Sequence, residues 1–253
     1  MKKIAVLGAN GLLGNDLVLF LSKYFDVTPI TRENYEEFRN KKFDVFINAN
    51  GNSKRFWALQ NIFLDFEVST TSVYKTIFDF KFKKYIYISS IDVYPDHSNP
   101  ESTDENSVID INQQNAYGFH KYLSEQIVKK NLSDWIILRP SSILGKNLKK
   151  GPFFDLLNHN PIFVTLDTKL QLITTEVIAE IINLILKKSI ECEILNIGGV
   201  GVFEFINIGK YFDYKIKVSS KAEKQLYNMN INKLKRFFSN LRTSEEYLQQ
   251  FLK

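Results

Sequence analysis

An α/β fold built on a doubly wound parallel sheet, closed by a small C-terminal cap, is what this sequence predicts. Three observations predict it. Short apolar runs rich in β-branched and aromatic residues alternate with longer helical patterns, Gly8, Gly11 and Gly14 punctuate the end of the first run, and the alternation weakens after Pro140. With 253 residues, 44% of them apolar, the chain can bury one main core and an appendage. The expected division is a nucleotide-binding unit over residues 1–140, then 141–253 as mainly cap, with segments returning to the first unit.

Lys3–Leu7 is an apolar run of strand length, and the helical spacing of Leu17, Phe20, Leu21 and Tyr24 gives the Leu12–Tyr24 segment one face to pack on a sheet. Val27–Thr31 and Asp44–Asn48 read as the second and third strands, Gln60–Phe80 as a long helix, and Tyr85–Ser89 as a fourth strand. Pro95–Gln114 is poor in apolar residues and crowded with Asn, Asp, Glu and Ser, so it reads as a long functional loop. Ala116–Lys130 should be helical and Trp135–Arg139 a strand. The cap region offers a strand at Ile162–Leu166, a helix at Thr174–Lys188, a strand at Ile194–Ile197 and a helical end from Ile231 to Leu252.

The net charge of +5 comes from 33 basic and 28 acidic residues spread along the chain without a concentrated arm, which argues against nucleic-acid and membrane partners. Cys192 is the only cysteine, so no internal disulfide forms; it reads as core filling in a protein of the reducing cytoplasm. No apolar run reaches the roughly 20 residues of a membrane span, and the nearest, Val177–Leu186, carries Glu180. Asn10, Asn15 and Asp16 interrupt what could otherwise pass for a leader peptide after Lys2 and Lys3. His97, His120 and His159 are scattered without metal-ligand spacing, so no metal is expected.

A strand, a tight glycine turn and a helix start stand in the order a dinucleotide requires. Gly8 and Gly11 let the backbone approach a pyrophosphate lying against the helix N-terminus, and Gly14 lets helix pack closely on strand. The cofactor should therefore touch Gly8, Asn10, Gly11, Leu12 and Leu13. At the end of the second strand Arg32 could pair with a 2′-phosphate and favours NADP, while the neighbouring Glu33 could hold ribose hydroxyls and keeps NAD open. Asn48, Ala49 and Asn50 end the third strand in a small polar loop suited to pass beside the cofactor, and Lys54 and Arg55 behind it could reach phosphates.

Tyr117 and Lys121 lie four residues apart and so share one helix face, where the ammonium would favour the ionised phenol and make it a usable acid or base near neutrality. Ser89 and Ser90 put a hydroxyl pair at the carboxyl end of a buried strand, the edge at which open α/β sheets keep their ligands. Ser89 reads as strand-end capping only.

Taken in order, the glycine turn, Ser89-Ser90-Ile91-Asp92-Val93-Tyr94, Tyr117-Gly118-Phe119-His120-Lys121 and Arg139-Pro140 followed by Ser141, Ser142, Ile143, Leu144 and Gly145 resemble the extended short-chain dehydrogenase/reductase family. The resemblance spans nearly the whole chain and implies a Rossmann-like doubly wound sheet with a substrate-binding cap. It implies Ser90, Tyr117 and Lys121 as the catalytic set: Ser90 on the substrate oxygen, Tyr117 exchanging its proton, Lys121 lowering the tyrosine pKa and holding the nicotinamide ribose. Pro140 and Ile143 would line the nicotinamide, while Asp92, Tyr94 and Ser142, with Ser90, would meet the substrate.

Relatives of this kind act mostly on nucleotide-activated sugars, and Gly8-Ala9-Asn10-Gly11-Leu12-Leu13-Gly14 is similar to the dTDP-4-dehydrorhamnose reductase branch. Reduction of a 4-keto sugar, serving surface polysaccharide or deoxysugar synthesis, is the implied activity. A nucleotide-sugar 4-epimerase holding NAD tightly is an alternative, a non-catalytic NAD(P)-binding regulator another, and a reductase of non-sugar carbonyls a third. Ile91 and Asp92 stand where sugar 4,6-dehydratases carry Asp-Glu, which disfavours dehydration, and Glu67 stands where many relatives have an Asn. Relatives often pair through two helices, which here would be Gln60–Phe80 and Ala116–Lys130 of a homodimer.

Overall fold

The computed structural model describes residues 1–253. Five strands, β1 (Lys3–Leu7), β2 (Asp26–Ile30), β3 (Lys42–Asn48), β4 (Lys81–Ile88) and β5 (Trp135–Pro140), join a sixth at Glu193–Ile197 in one sheet. All six run parallel, in the spatial order Glu193–Ile197, β5, β4, β3, β1, β2. The chain leaves β1 first toward β2 and afterwards toward β3, so the order reverses between β1 and β3, and the crevice for a ligand opens beyond their carboxyl ends. Ile4, Val6, Val45, Ile47, Ile86, Ile88, Ile136 and Leu138 fill one side of this sheet. Burial on both faces explains why these strands read as continuous apolar runs.

β4 begins four residues before the run expected from Tyr85. Three of its first four residues are lysines, and Lys84 enters the sheet buried because it pairs with Asp134 and donates to the Ile190 carbonyl. The helix expected over Gln60–Phe80 is interrupted. Helical turns at Arg55–Gln60 and Ile62–Phe66 lead into a π-helical turn at Glu67–Thr71 and then a helix at Ser72–Asp79. The extra residue of the π turn brings Thr70 Oγ1 onto the His120 carbonyl at 3.1 Å and the Ser69 carbonyl onto Ser124 Oγ at 3.1 Å, locking this segment to the Ala116–Asn131 helix.

Beyond Pro140 the chain divides its residues between two cores. The Thr175–Lys188 helix lays Val177, Ile178, Ile181, Ile182 and Ile185 into the core that holds Leu17 and Leu21 of α1 (Leu12–Leu21), while Glu193–Ile197 pairs with β5. The rest closes around Phe153, Leu156, Phe203, Phe205 and Leu248. There the expected strand shortens to Ile162–Val164, and Lys169–Leu170 pairs with Phe203–Glu204 on one side and Leu226–Tyr227 on the other. The helical end is two helices, Asn232–Phe237 and Ser244–Leu252, the second started by a capping box between Thr243 and Glu246. Cys192 is a correction: it is exposed at φ 53° in the turn before Glu193, with its thiol on the Ser133 carbonyl, because the chain must reverse there in a left-handed conformation. No helix is long and apolar enough to cross a membrane.

Candidate active site

The glycine turn is shaped by close backbone contact. Gly8 sits at φ +85°, and a Cβ there would lie 2.8 Å from the Ala49 carbonyl oxygen, so the turn and the loop after β3 touch backbone to backbone. A Cβ on Gly14 would lie 2.1 Å from the Gly8 carbonyl oxygen, which is the helix-on-strand approach expected. Beside this turn, Leu7, Asn50, Ser72, Thr76, Tyr35 and Lys75 line a cavity of about 260 Å³. A bare backbone cradle and an adjoining polar hollow of this kind fit a dinucleotide.

Around the cradle, Asn10 and Gly11 are exposed and Leu13 is buried behind them. Ala49 and Asn50 are half-buried at the crevice, with the Asn50 side chain on Ser72 Oγ. Asn48 turns the other way: its amide donates to the Tyr85 hydroxyl at 2.8 Å and its oxygen accepts from the Asn50 backbone. It shapes the loop from within the core. At the end of β2, Glu33 is engaged by the Thr31 hydroxyl, which lowers its pKa, whereas exposed Arg32 makes no ion pair.

Ser90, Tyr117 and Lys121 come together past the end of β4, all nearly closed off from solvent. Ser90 Oγ accepts from the Asp92 backbone at 3.1 Å and donates to Asp92 Oδ2 at 3.0 Å, holding the short turn Ile91–Val93, and the Tyr117 phenol lies near the same hydroxyl. Asn115 caps the Ala116–Asn131 helix by accepting from the Gly118 backbone at 3.0 Å, which sets Tyr117 in the first turn. Lys121 Nζ lies 3.5 Å from the Ile88 carbonyl oxygen and 5.5 Å above the Tyr87 ring. Gly118 explains its own presence between them, since a Cβ there would lie 2.0 Å from the Asp92 carbonyl oxygen. Gly118→Ala is therefore expected to push the helix off the Ser90 turn and cost about 1–3 kcal/mol; a thermal melt superimposable on wild type would contradict this contact.

The electrostatics differ from the sequence expectation at one point. The phenol of Tyr117 is pushed up, first by burial and then by the Asp92 carboxylate, with the Ser90 hydrogen bond opposing, and Lys121 does not figure among the causes. The lysine is itself depressed to about 8 by burial, with Asp65, Glu125 and Asp92 opposing. Both shifts favour the uncharged forms of the two groups.

Asp92 is a junction. Arg55 pairs with it at 3.3 Å, His97 Nε2 lies 3.7 Å away, and its charge pushes up the pKa of the buried Tyr227 phenol after burial itself. Tyr227 and Lys150 have no signal in the sequence; they reach the site from distant segments. Lys150 is depressed to about 8, first by burial and then by Lys54, with Asp92 opposing and Lys121 adding to the shift. Tyr94, expected on the substrate, is instead 1% exposed, with its hydroxyl accepting from Arg139 at 2.7 Å and donating to Asn196 at 2.9 Å; it carries a hydrogen bond between strands. Pro140 is buried at the end of β5, and Ser142 and Ile143, both half-buried, begin the short pairing with Leu172–Thr174. Ser89 does more than cap, since its hydroxyl donates to Glu125 at 2.5 Å. Glu67 is exposed and stays out of the site.

A parallel sheet reversing over a glycine cradle defines a dinucleotide-binding α/β fold, with serine, tyrosine and lysine gathered past the end of β4. A family model, NAD dependent epimerase/dehydratase family, matches residues 4–160, and the chain belongs to that family. It is accordingly an NAD(P)-dependent enzyme of the short-chain dehydrogenase/reductase type. No curated protein matches the chain. Among solved structures it is similar to dTDP-4-dehydrorhamnose reductase from Bacillus anthracis in complex with NADP, at 20% identity and TM-score 0.82 over 99% of this chain and 98% of that one. The dTDP-4-dehydrorhamnose reductase of Clostridium acetobutylicum follows at 17% identity and TM-score 0.81, again over 99% and 98%. UDP-glucuronic acid 4-epimerase of Bacillus cereus, in complex with UDP-glucuronic acid and NAD, matches at 17% identity and TM-score 0.80 over 98% of this chain and 99% of that one. At such identities the likeness establishes the fold.

Proposed function

We propose that this protein reduces the 4-keto group of a nucleotide-activated sugar, with NADP as its cofactor and Ser90, Tyr117 and Lys121 as catalytic residues. The observation that carries the reading is geometric: Ser90, Tyr117 and Lys121 are buried together past the end of β4, beside the bare backbone cradle at Gly8. Reduction of a ketone starts from a protonated tyrosine, whereas oxidation of an alcohol, the first half of an epimerase cycle, starts from an ionised one. Burial and then Asp92 push the pKa of Tyr117 up, the direction that suits a proton donor. The cleft also gathers cations that an anionic ligand could meet: Arg55 pairs with Asp92, and Lys54, Lys121 and Asp92 all act on Lys150. A nucleoside diphosphate brings the opposite charge.

A nicotinamide held on the Gly8 cradle would provide the hydride for the carbonyl carbon. The chain's own residues do the rest: Ser90 holds the carbonyl oxygen, Tyr117 gives its proton to that oxygen as the C–H bond forms, and the Lys121 ammonium compensates the resulting phenolate. Lys121 also holds the nicotinamide ribose, Arg32 the 2′-phosphate, and residues 142–174 and 203–231 act as the cap over the substrate.

Two measurements test this. Mixing the protein with NADPH and a dTDP- or UDP-linked 4-keto-6-deoxy sugar should consume NADPH at 340 nm, at a wavelength set by the reduced nicotinamide ring. NAD that co-purifies, with interconversion of 4-epimers and no net NADPH loss, would replace the reductase by the epimerase. In a fluorescence titration NADPH should bind tighter than NADH, and Arg32→Ala should abolish the difference; tighter NADH binding by the wild type would remove the NADP assignment.

A further inference from the structure

Of the carboxylates that act on Lys121, Asp65 has the largest effect and is bound by no lysine or arginine. Its carboxylate is fully buried, on the Ile62–Phe66 turn, and it joins three elements. Nδ1 of His120, also buried, donates to Oδ2 at 2.6 Å; Asn52 donates to Oδ1 at 2.8 Å from the loop after β3; Ser69 donates to Oδ1 at 3.3 Å from the π turn. His120 directly precedes Lys121, and Asn52 follows Gly51. A Cβ built on Gly51 would lie 3.5 Å from Lys121 Nζ and 3.6 Å from Ser69 Oγ, so the lysine tip and the serine that bonds Asp65 face the same point.

We infer that Asp65 is a positioning residue for Lys121: it clamps the Ala116–Asn131 helix, the π turn and the Gly51–Lys54 loop around the lysine and supplies the negative charge its ammonium faces. This deepens the reductase reading and rests on Lys121 belonging to that site. Three carboxylates act on Lys121, Asp65 first, then Glu125 and Asp92, while Lys150 lies near as a like charge and the ring of Tyr87 lies below it. Glu125 is committed to Arg139 by two hydrogen bonds, and Asp92 is shared by Arg55 and His97. Asp65 has neutral donors in Asn52 and Ser69 and one imidazole, so its charge is the least spent. Removing it leaves a buried ammonium facing less negative charge, and the ammonium then gives up its proton at lower pH.

The test is a titration of protein labelled at lysine Cε, followed by NMR, with the Lys121 signal assigned by its disappearance in Lys121→Met. The wild-type midpoint is expected near the value of about 8, and Asp65→Asn should lower it by about one pH unit, a tenfold weaker hold on the proton. An Asp65→Asn midpoint equal to wild type would overturn the inference. His120→Gln keeps a donor on the carboxylate and removes the imidazole, so its midpoint should stay within about 0.3 units of wild type; a drop as large as that expected for Asp65→Asn would overturn the assignment to Asp65, and this variant carries the test alone if Asp65→Asn does not fold. A shifted midpoint in a protein that binds no NADPH would leave this inference standing and remove the proposed function. NADPH binding with an unshifted midpoint would do the reverse.

Discussion

Tyr117→Phe is expected to lower kcat by about 10²–10⁴-fold, the range for removing a positioned proton donor, while NADPH affinity stays near wild type. The substitution keeps the ring, which is 6% exposed, and removes only the hydroxyl. Ser90 retains its two hydrogen bonds to Asp92, so the turn that carries it stays in place. The fold and the cradle at Gly8 do not involve the phenol. Turnover retained within a few-fold would show that another group delivers the proton and would take Tyr117 out of the mechanism.

The same chemistry fixes the pH dependence. With Lys121 depressed to about 8, the ammonium is present below that pH and lost above it. The wild-type kcat/KM should therefore be level toward neutrality and fall on the alkaline side of pH 8. Because the folded pKa lies below that of a free lysine, the unfolded chain binds this proton more tightly, and the contribution of Lys121 to stability grows as pH rises from about 8 toward 10.5. Activity and stability thus move in opposite directions over that interval.

The largest effect on stability is expected at Arg139. Its guanidinium, 2% exposed, donates from Nε to Glu125 Oε1 at 2.9 Å and from a terminal nitrogen to Oε2 at 2.6 Å. Glu125 also accepts from Ser89, and the Tyr94 hydroxyl passes the network on to Asn196, whose amide bonds the Thr103 and Asn230 carbonyls. Arg139→Met leaves the Glu125 carboxylate buried without its cation, at a cost of about 3–5 kcal/mol. In a chain of this length each kcal/mol lowers Tm by roughly 2–4 °C. Adding Glu125→Leu should restore much of the loss, because the second substitution removes the stranded charge. If the single variant melts within a degree or two of wild type, or the double is worse by the sum of two independent losses, the pair is not the support described here.

Several parts of this molecule were legible before folding because their signals are local. The strand, turn and helix around Gly8, Gly11 and Gly14 occupy fewer than two dozen consecutive residues, and a glycine there reports a backbone contact directly. Tyr117 and Lys121 share a face by helical periodicity alone, and Ser90 ends an apolar run that can only be a buried strand. The break in the Gln60–Phe80 helix was not legible, since the π turn exists to satisfy the Ser124 hydroxyl and the His120 carbonyl from another helix. Nor was Tyr94, whose motif position suggested substrate and whose burial between Arg139 and Asn196 made it a structural link.

The amino-acid order by itself determined the parallel α/β architecture, the nucleotide cradle and the identity of the three residues at its mouth, because periodicity, turn chemistry and spacing act over one or two turns of chain. Only the tertiary structure decided the state in which those residues work. Asp92, Tyr227, Lys150, Asp65 and Glu125 come from segments far apart in the chain, and burial among them, a property of the packed molecule, pushes the pKa of Tyr117 up and that of Lys121 down.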